Sequence, residues 1–257
     1  RLTLNLGLRY ETTPPWHEQK GRFDVFSAAG FRAGVQSKVF LNAPPGLVFR
    51  GDPGVPYDGI VGDYNNFSPR LGFAWDVFGD GKTSLRGGGG FFYDQHFSPL
   101  YNIGASQAWP WGMAVNLTTP KGSFSDPYLG LDNTFNNYKL STVGTPTEPN
   151  FPPTQITGMQ SSIVTPVTYN WNLTLEREVH KVVARLAYVG STQIHGIYQK
   201  ELDPAVYIPG SSLGTDARRV FAPYYSTMVN TTQDSVSHYH SLQASMTKRL
   251  SQGFTVL

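Results

Sequence analysis

Residues 69–94, PRLGFAWDVFGDGKTSLRGGGGFFYD, constrain this fold more than any other stretch. Leu71, Phe73, Trp75 and Val77 alternate with Arg70, Gly72, Ala74 and Asp76. A Gly79-Asp80-Gly81 turn follows, and a second arm runs from Thr83 to Asp94. Strict period-two alternation puts the apolar set on one face of a strand and the polar set on the other. Each arm is about ten residues long, enough to cross a bilayer as a tilted strand. Strands of globular domains usually have about five or six residues. The hairpin thus has the dimensions of a membrane-barrel wall.

The same pattern returns along the chain. In residues 1–11, Leu2, Leu4, Leu6, Leu8 and Tyr10 oppose Thr3, Asn5, Gly7, Arg9 and Glu11. In residues 167–178, Val167, Tyr169, Trp171, Leu173 and Leu175 oppose Thr168, Asn170, Asn172, Thr174 and Glu176. The expected strands are 1–11, 69–78, 83–94, 167–178, 182–191, 225–232 and 237–250. Long connections are expected at 12–67, 95–166 and 192–224, rich in Pro, Asn and aromatics. Turns near 79–81, 179–181 and 251–253 are short.

This alternation of connection length carries weight. Loops beyond about fifteen residues are uncommon in compact domains. An outer-membrane barrel sorts them by parity, with short periplasmic turns and long extracellular loops. Aromatics follow the same sorting: Tyr10, Phe92, Tyr93, Tyr169, Trp171 and Tyr188 fall toward the long loops, and Phe78 and Phe254 beside short turns. Two interfacial girdles account for this, since amphipathic rings favour the headgroup level. Arg9, Glu11, Arg70, Asp76, Arg86, Asp94, Glu176, Glu178 and Arg185 fall on the polar face, where charges on neighbouring strands can pair. Arg177 and Lys248 have lipid-facing parity near short turns, where long cationic chains reach the interface. Gly87–Gly90 suits strong coiling of the wall or contact with something inside the lumen.

Composition agrees with an all-β chain: charged residues are 15 % and aromatics 14 % of 257. With no Cys, disulfides and thiolate metal sites are excluded. Lys plus Arg is 20 against 18 for Asp plus Glu, which gives no reason to expect nucleic acid. No apolar run approaches the roughly eighteen residues of a membrane helix, a test that barrel strands escape. The chain starts inside one strand and stops where another begins, so an internal piece of a longer protein is expected.

Chemical motifs are sparse. Gly81-Lys82-Thr83 resembles the end of a phosphate loop, but Asp76 stands where that motif needs Gly and no helix follows. His238 and His240 share a strand face without an evident third metal ligand, and a polar strand end is expected there. His17, His96, His180 and His195 are scattered singly. No nucleophile–base set or catalytic carboxylate pair stands out, so no catalytic, metal or cofactor residue is assigned and no enzyme is expected. Trp16, Trp109, Trp111, Tyr101 and Tyr128 lie in the long connections. Such rings either order the loops or stack on a ligand, and no single one is assigned to binding.

The segments 2–11, 66–94, 169–179 with 186–195, and 239–255 together resemble, in order, the barrel of TonB-dependent outer-membrane receptors of the Oar-like group, which carry a carboxypeptidase-regulatory-like N-terminal domain. The resemblance implies an antiparallel transmembrane β-barrel of 22 strands, of which this chain offers about six or seven. It also implies a plug domain, energising through the TonB system, an unknown extracellular ligand, contact with outer-membrane lipid, and location in the outer membrane of a Gram-negative bacterium. No plug or TonB-contacting segment is found here, so the fragment alone is expected not to transport. Two rivals stay open. A secreted all-β lectin or adhesin would pack the Leu2–Tyr10 and Leu71–Val77 faces against a second sheet. A passive porin would share the barrel and lack the plug.

Overall fold

The computed structural model describes residues 1–94, 110–111, 121–130, 154–159, 161–162, 164–249 and 255–256 of the 257-residue chain. Its elements are β1 (Leu2–Thr13), β2 (Asp24–Phe26), α1 (Ala28–Arg32), β3 (Leu47–Phe49), β4 (Asp63–Asp76), β5 (Thr83–Tyr93), β6 (Thr154–Met159), β7 (Val167–Val179), β8 (Val182–Glu201), β9 (Tyr225–Arg249) and β10 (Thr255–Val256). The long strands form an antiparallel wall in the order β1-β4-β5-β7-β8-β9-β10. The sheet is open, with β1 and β10 at its edges. The chain is all-β, with almost no helix among the described residues.

Register fixes which residues share a face. One row runs Leu4, Phe73, Gly87, Leu173, Tyr188, Leu242 across neighbouring strands. The next runs Leu6, Leu71, Gly89, Trp171, Gly190, His240. The alternating apolar positions of the sequence therefore form one continuous face. Among the described residues no second sheet covers it: Leu2 is 58 %, Leu6 79 % and Leu8 72 % exposed. The opposite parity is the more covered one, with Thr174 and Ala187 buried. A soluble sandwich buries its apolar face, and this one presents it outward, as a barrel wall does.

The turns explain the short connections. Gly79 and Gly81 adopt positive φ, which glycine does without steric cost. The Asp76 carboxylate accepts bonds from both of their N–H groups, at 3.0 and 3.1 Å. Asp76 thus closes the turn, where the sequence pattern placed it among lumenal charges. His180 and Lys181 have φ of 50° and 65°, the left-handed pair that a two-residue hairpin turn needs.

Several boundaries differ from the sequence pattern. β4 begins at Asp63, inside the expected 12–67 connection, because Asp63–Ser68 pairs with the upper part of β1. Thr165 secures this extension: its N–H donates to Asp63 Oδ2 at 2.8 Å, and its hydroxyl meets Asn66 Nδ2 and Thr13 Oγ1, each at 3.1 Å. β8 continues ten residues past the expected end at 191, to Glu201. Register shifts on either side of Gly196, with His195 at φ 57°, break the alternation that would have shown this. The expected strands 225–232 and 237–250 are one strand, β9. The polar stretch between them stays in the strand because the Gln233 amide pairs with both backbone groups of Val164. The 12–67 connection holds β2, α1 and β3, and the 95–166 connection holds β6, which runs parallel to the start of β9.

Beyond the wall, these insertions make a cap with its own core. Phe40, Ala43, Leu47, Phe49, Phe221, Tyr225 and Met228 are buried together, with Phe26, Phe31 and Trp111 packed against them. Ser27 caps α1 by accepting from Gly30 N–H at 3.0 Å.

Candidate functional site

Two surfaces carry the functional chemistry: the outward face of the wall and the cap at its long-loop end. On the wall, the aromatics expected at the long-loop ends are partly redistributed. Tyr10 lies 4.8 Å from Phe67 and donates to Tyr64 O at 2.7 Å, and Phe91 meets Tyr169 edge-on at 4.7 Å. These rings sit near strand ends and face outward. Phe92 has the opposite parity, pairing with Thr168, and the Arg70 guanidinium lies 4.6 Å from its ring centre. It belongs to the lumenal face, because consecutive strand residues point to opposite sides. Tyr188 lies nearer the Val182 end of β8, since that strand runs on to Glu201. Phe254 falls outside the described residues. At the short-turn end, Arg177 places its guanidinium 5.7 Å from the Phe78 ring.

His238 and His240 sit on the outward face within β9, away from the strand end expected for them. Tyr188 Oη is 2.7 Å from His240 Nδ1, and Thr192 Oγ1 is 3.0 Å from His238 Nδ1. Each imidazole thus has a hydroxyl partner. Among the described residues, no group of three His, Asp or Glu side chains is placed to hold a metal ion.

On the lumenal face, Arg86 and Glu176 pair across β5 and β7 at 3.5 Å, and Arg9 meets Glu11 along β1 at 2.7 Å. Both arginines are more than half exposed, so these pairs contribute little stability. Their arrangement gives the lumen a fixed pattern of charge. Gly88 and Gly90 leave a shallow trough beside Arg70, Asn170 and Asn172 on this same face.

The cap is held by two buried carboxylates that the sequence did not single out. Asp52 accepts from Ser37 Oγ and Lys38 N–H at 2.6 Å and from Phe49 N–H at 2.9 Å. Asp203 is fully buried and accepts from Phe221 N–H at 2.8 Å through Oδ1, while Oδ2 has no hydrogen-bond partner. Burial raises the Asp203 carboxyl above the ordinary carboxylate range, against the pull of the Phe221 amide and Arg219. Burial, aided by Asp24, also raises the Tyr225 phenol, which donates to Pro45 O at 3.0 Å. At the rim, His17 stacks on Tyr57 at 5.3 Å and bonds Asp58 at 2.7 Å, while the Arg50 guanidinium lies 3.5 Å from the centre of the same Tyr57 ring.

The loop aromatics therefore divide. Trp111 packs into the cap core, 5.7 Å from Phe49 and 5.9 Å from Phe40. Trp16 is about half exposed and Tyr128 half-buried. Trp109 and Tyr101 fall outside the described residues. Gly81-Lys82-Thr83 is a hairpin turn leading into β5.

A family model described as "Outer membrane beta barrel domain" matches residues 1–257. No curated protein matches the chain. Among solved structures, the outer membrane transporter YddB from Escherichia coli aligns at 16 % identity and a TM-score of 0.38, covering 72 % of this chain and 17 % of that one. The siderophore receptor PirA from Acinetobacter baumannii aligns at 13 % identity and a TM-score of 0.38, covering 73 % of this chain and 21 % of that one. The chain thus spans about a fifth of the length of these transport proteins.

Proposed function

The chain belongs to the outer membrane β-barrel domain family and resides in the outer membrane of a Gram-negative bacterium; on that premise we propose that it is part of the wall of a TonB-dependent receptor of Oar-like type. In this reading the full-length protein takes up a large or scarce solute. The wall is a scaffold, the cap meets the extracellular ligand, and a plug in the same full-length chain contacts the lumenal face and the TonB system. The chain has no enzymatic role.

One observation carries the reading best: a lipid-ready outward face and a charged lumenal face are joined to an ordered cap at the long-loop end. A passive pore needs the two faces but has no need for a folded cap. The cap core and its buried carboxylates instead suit a rigid platform for ligand contact.

The test is solute-limited uptake by cells expressing the full-length protein, with and without a working TonB system. Uptake is expected to collapse when TonB is removed. Uptake that continues unchanged without it would favour the passive-porin reading and sink this one.

A further inference from the structure

The four consecutive glycines of β5 leave an unusual feature on the membrane side. Gly87 and Gly89 both have outward parity, but their surroundings differ. A Cβ on Gly87 would stand 2.6 Å from the Phe73 ring, so that ring already lies over it. The Trp171 indole lies instead over Gly190 of β8, within 2.4 Å of where a Cβ would be. Gly89, between Leu71 and Trp171 in the register, differs: the atoms nearest to a Cβ there would be Asn170 O at 3.1 Å and Trp171 Cβ and Cα at 3.5 and 3.7 Å, with no ring atom among them.

The result is an open groove of about 1060 Å³ whose floor is Gly89. Leu6 and Leu71 form one side and Trp171 the other. The edge-on pair Phe91 and Tyr169 closes its upper end. Its volume is just above the roughly 300–1,000 Å³ of small-molecule sites. Apart from backbone, its lining is almost wholly apolar, so it offers dispersion and apolar contact and hardly any charge recognition.

We propose that this groove seats an acyl chain of lipid A, the acylated disaccharide of the outer leaflet. Three points on the molecule favour that occupant. The groove belongs to the outward face that meets lipid, so its surroundings are hydrocarbon. It rises from the Leu6–Leu71–Gly89–Trp171 row to Phe91 and Tyr169, which stand two residues from the long-loop ends of β5 and β7 at Tyr93 and Val167, and it therefore opens into the outer leaflet. Its bare glycine floor lets an alkyl chain reach the backbone, a close approach that any other residue would block. A seated chain would restore the contacts that a side chain makes elsewhere on this face.

The experiment uses the full-length protein in mild detergent. It is solubilised from outer membranes, where each leaflet presents its own lipid, and the lipid A and phosphatidylethanolamine that stay bound are read by native mass spectrometry. The wild type is expected to retain lipid A in preference. Gly89→Leu, which fills the groove, is expected to lower retention about tenfold, a change of about 1.4 kcal/mol in binding. Leu242→Ala, on the same outward face but away from the groove, is expected to leave retention unchanged. Heat-modifiable migration on gels shows that each variant is folded. Should Gly89→Leu not fold, Gly89→Ala adds a single methyl to the floor and is expected to give a smaller loss. Undiminished lipid A retention in folded groove variants would overturn the proposal, as would equal binding of phosphatidylethanolamine.

Discussion

Leu6 in β1 is 79 % exposed, whereas Leu47 and Phe49 in the cap are completely covered. The same kinds of side chain are thus used in opposite ways within one chain. In the wall, apolar residues turn toward hydrocarbon, and order comes from the backbone ladders between neighbouring strands. In the cap, apolar residues turn toward each other and away from water, and Asp52 and Asp203 tie the irregular backbone around them. The lesson is that exposure of a large apolar residue has no fixed meaning. It marks a defect or a partner site on a soluble surface, and the normal state on a membrane wall.

The largest effect should come from breaking the cap by the rule for soluble cores. Phe49→Ala in the full-length protein is expected to cost the cap about 3–5 kcal/mol. Limited proteolysis should then cut the cap loops, while heat-modifiable migration of the wall persists. Loss of both together would show that cap and wall fold as one unit.

A second substitution breaks the wall by the membrane rule. Leu6→Arg, near the middle of β1, is expected to cost about 2–4 kcal/mol. Asn5→Arg, one residue away on the lumenal face, should cost far less. Urea unfolding in lipid vesicles measures both, and equal costs would contradict the assignment of faces.

The smallest effect sharpens the cap. Asp203 has a raised carboxyl pKa in the folded state, so the folded cap holds its proton more tightly than the unfolded chain does. Stability from this group is therefore full at pH below the ordinary carboxylate range and is lost as pH rises through the raised value. Asp203→Asn keeps an oxygen for the Phe221 amide and should flatten that dependence. Amide hydrogen exchange across 202–221 at several pH values would show it, and an unchanged slope would remove Asp203 as the cause.

How much of this was legible in the sequence can be judged from particular residues. Leu2 through Tyr10 and Leu71 through Trp75 announced strands, faces and a bilayer-length span, because alternation is a local property of each segment. The sequence also separated short turns from long connections, since Gly79, Gly81 and the Pro-rich stretches punctuate the chain on their own. The tertiary structure alone decided the rest. Gln233 looks like a strand break until its partner Val164 is in place, 69 residues away. Gly196 hides the second half of β8 because a bulge reverses the parity by which strands are read. The cap depends on contacts such as Tyr225 to Pro45, 180 residues apart, and the groove exists because Phe73 covers Gly87 while Trp171 turns away from Gly89. Period and turn chemistry are written residue by residue; burial, bulges and bare floors arise only when distant segments meet.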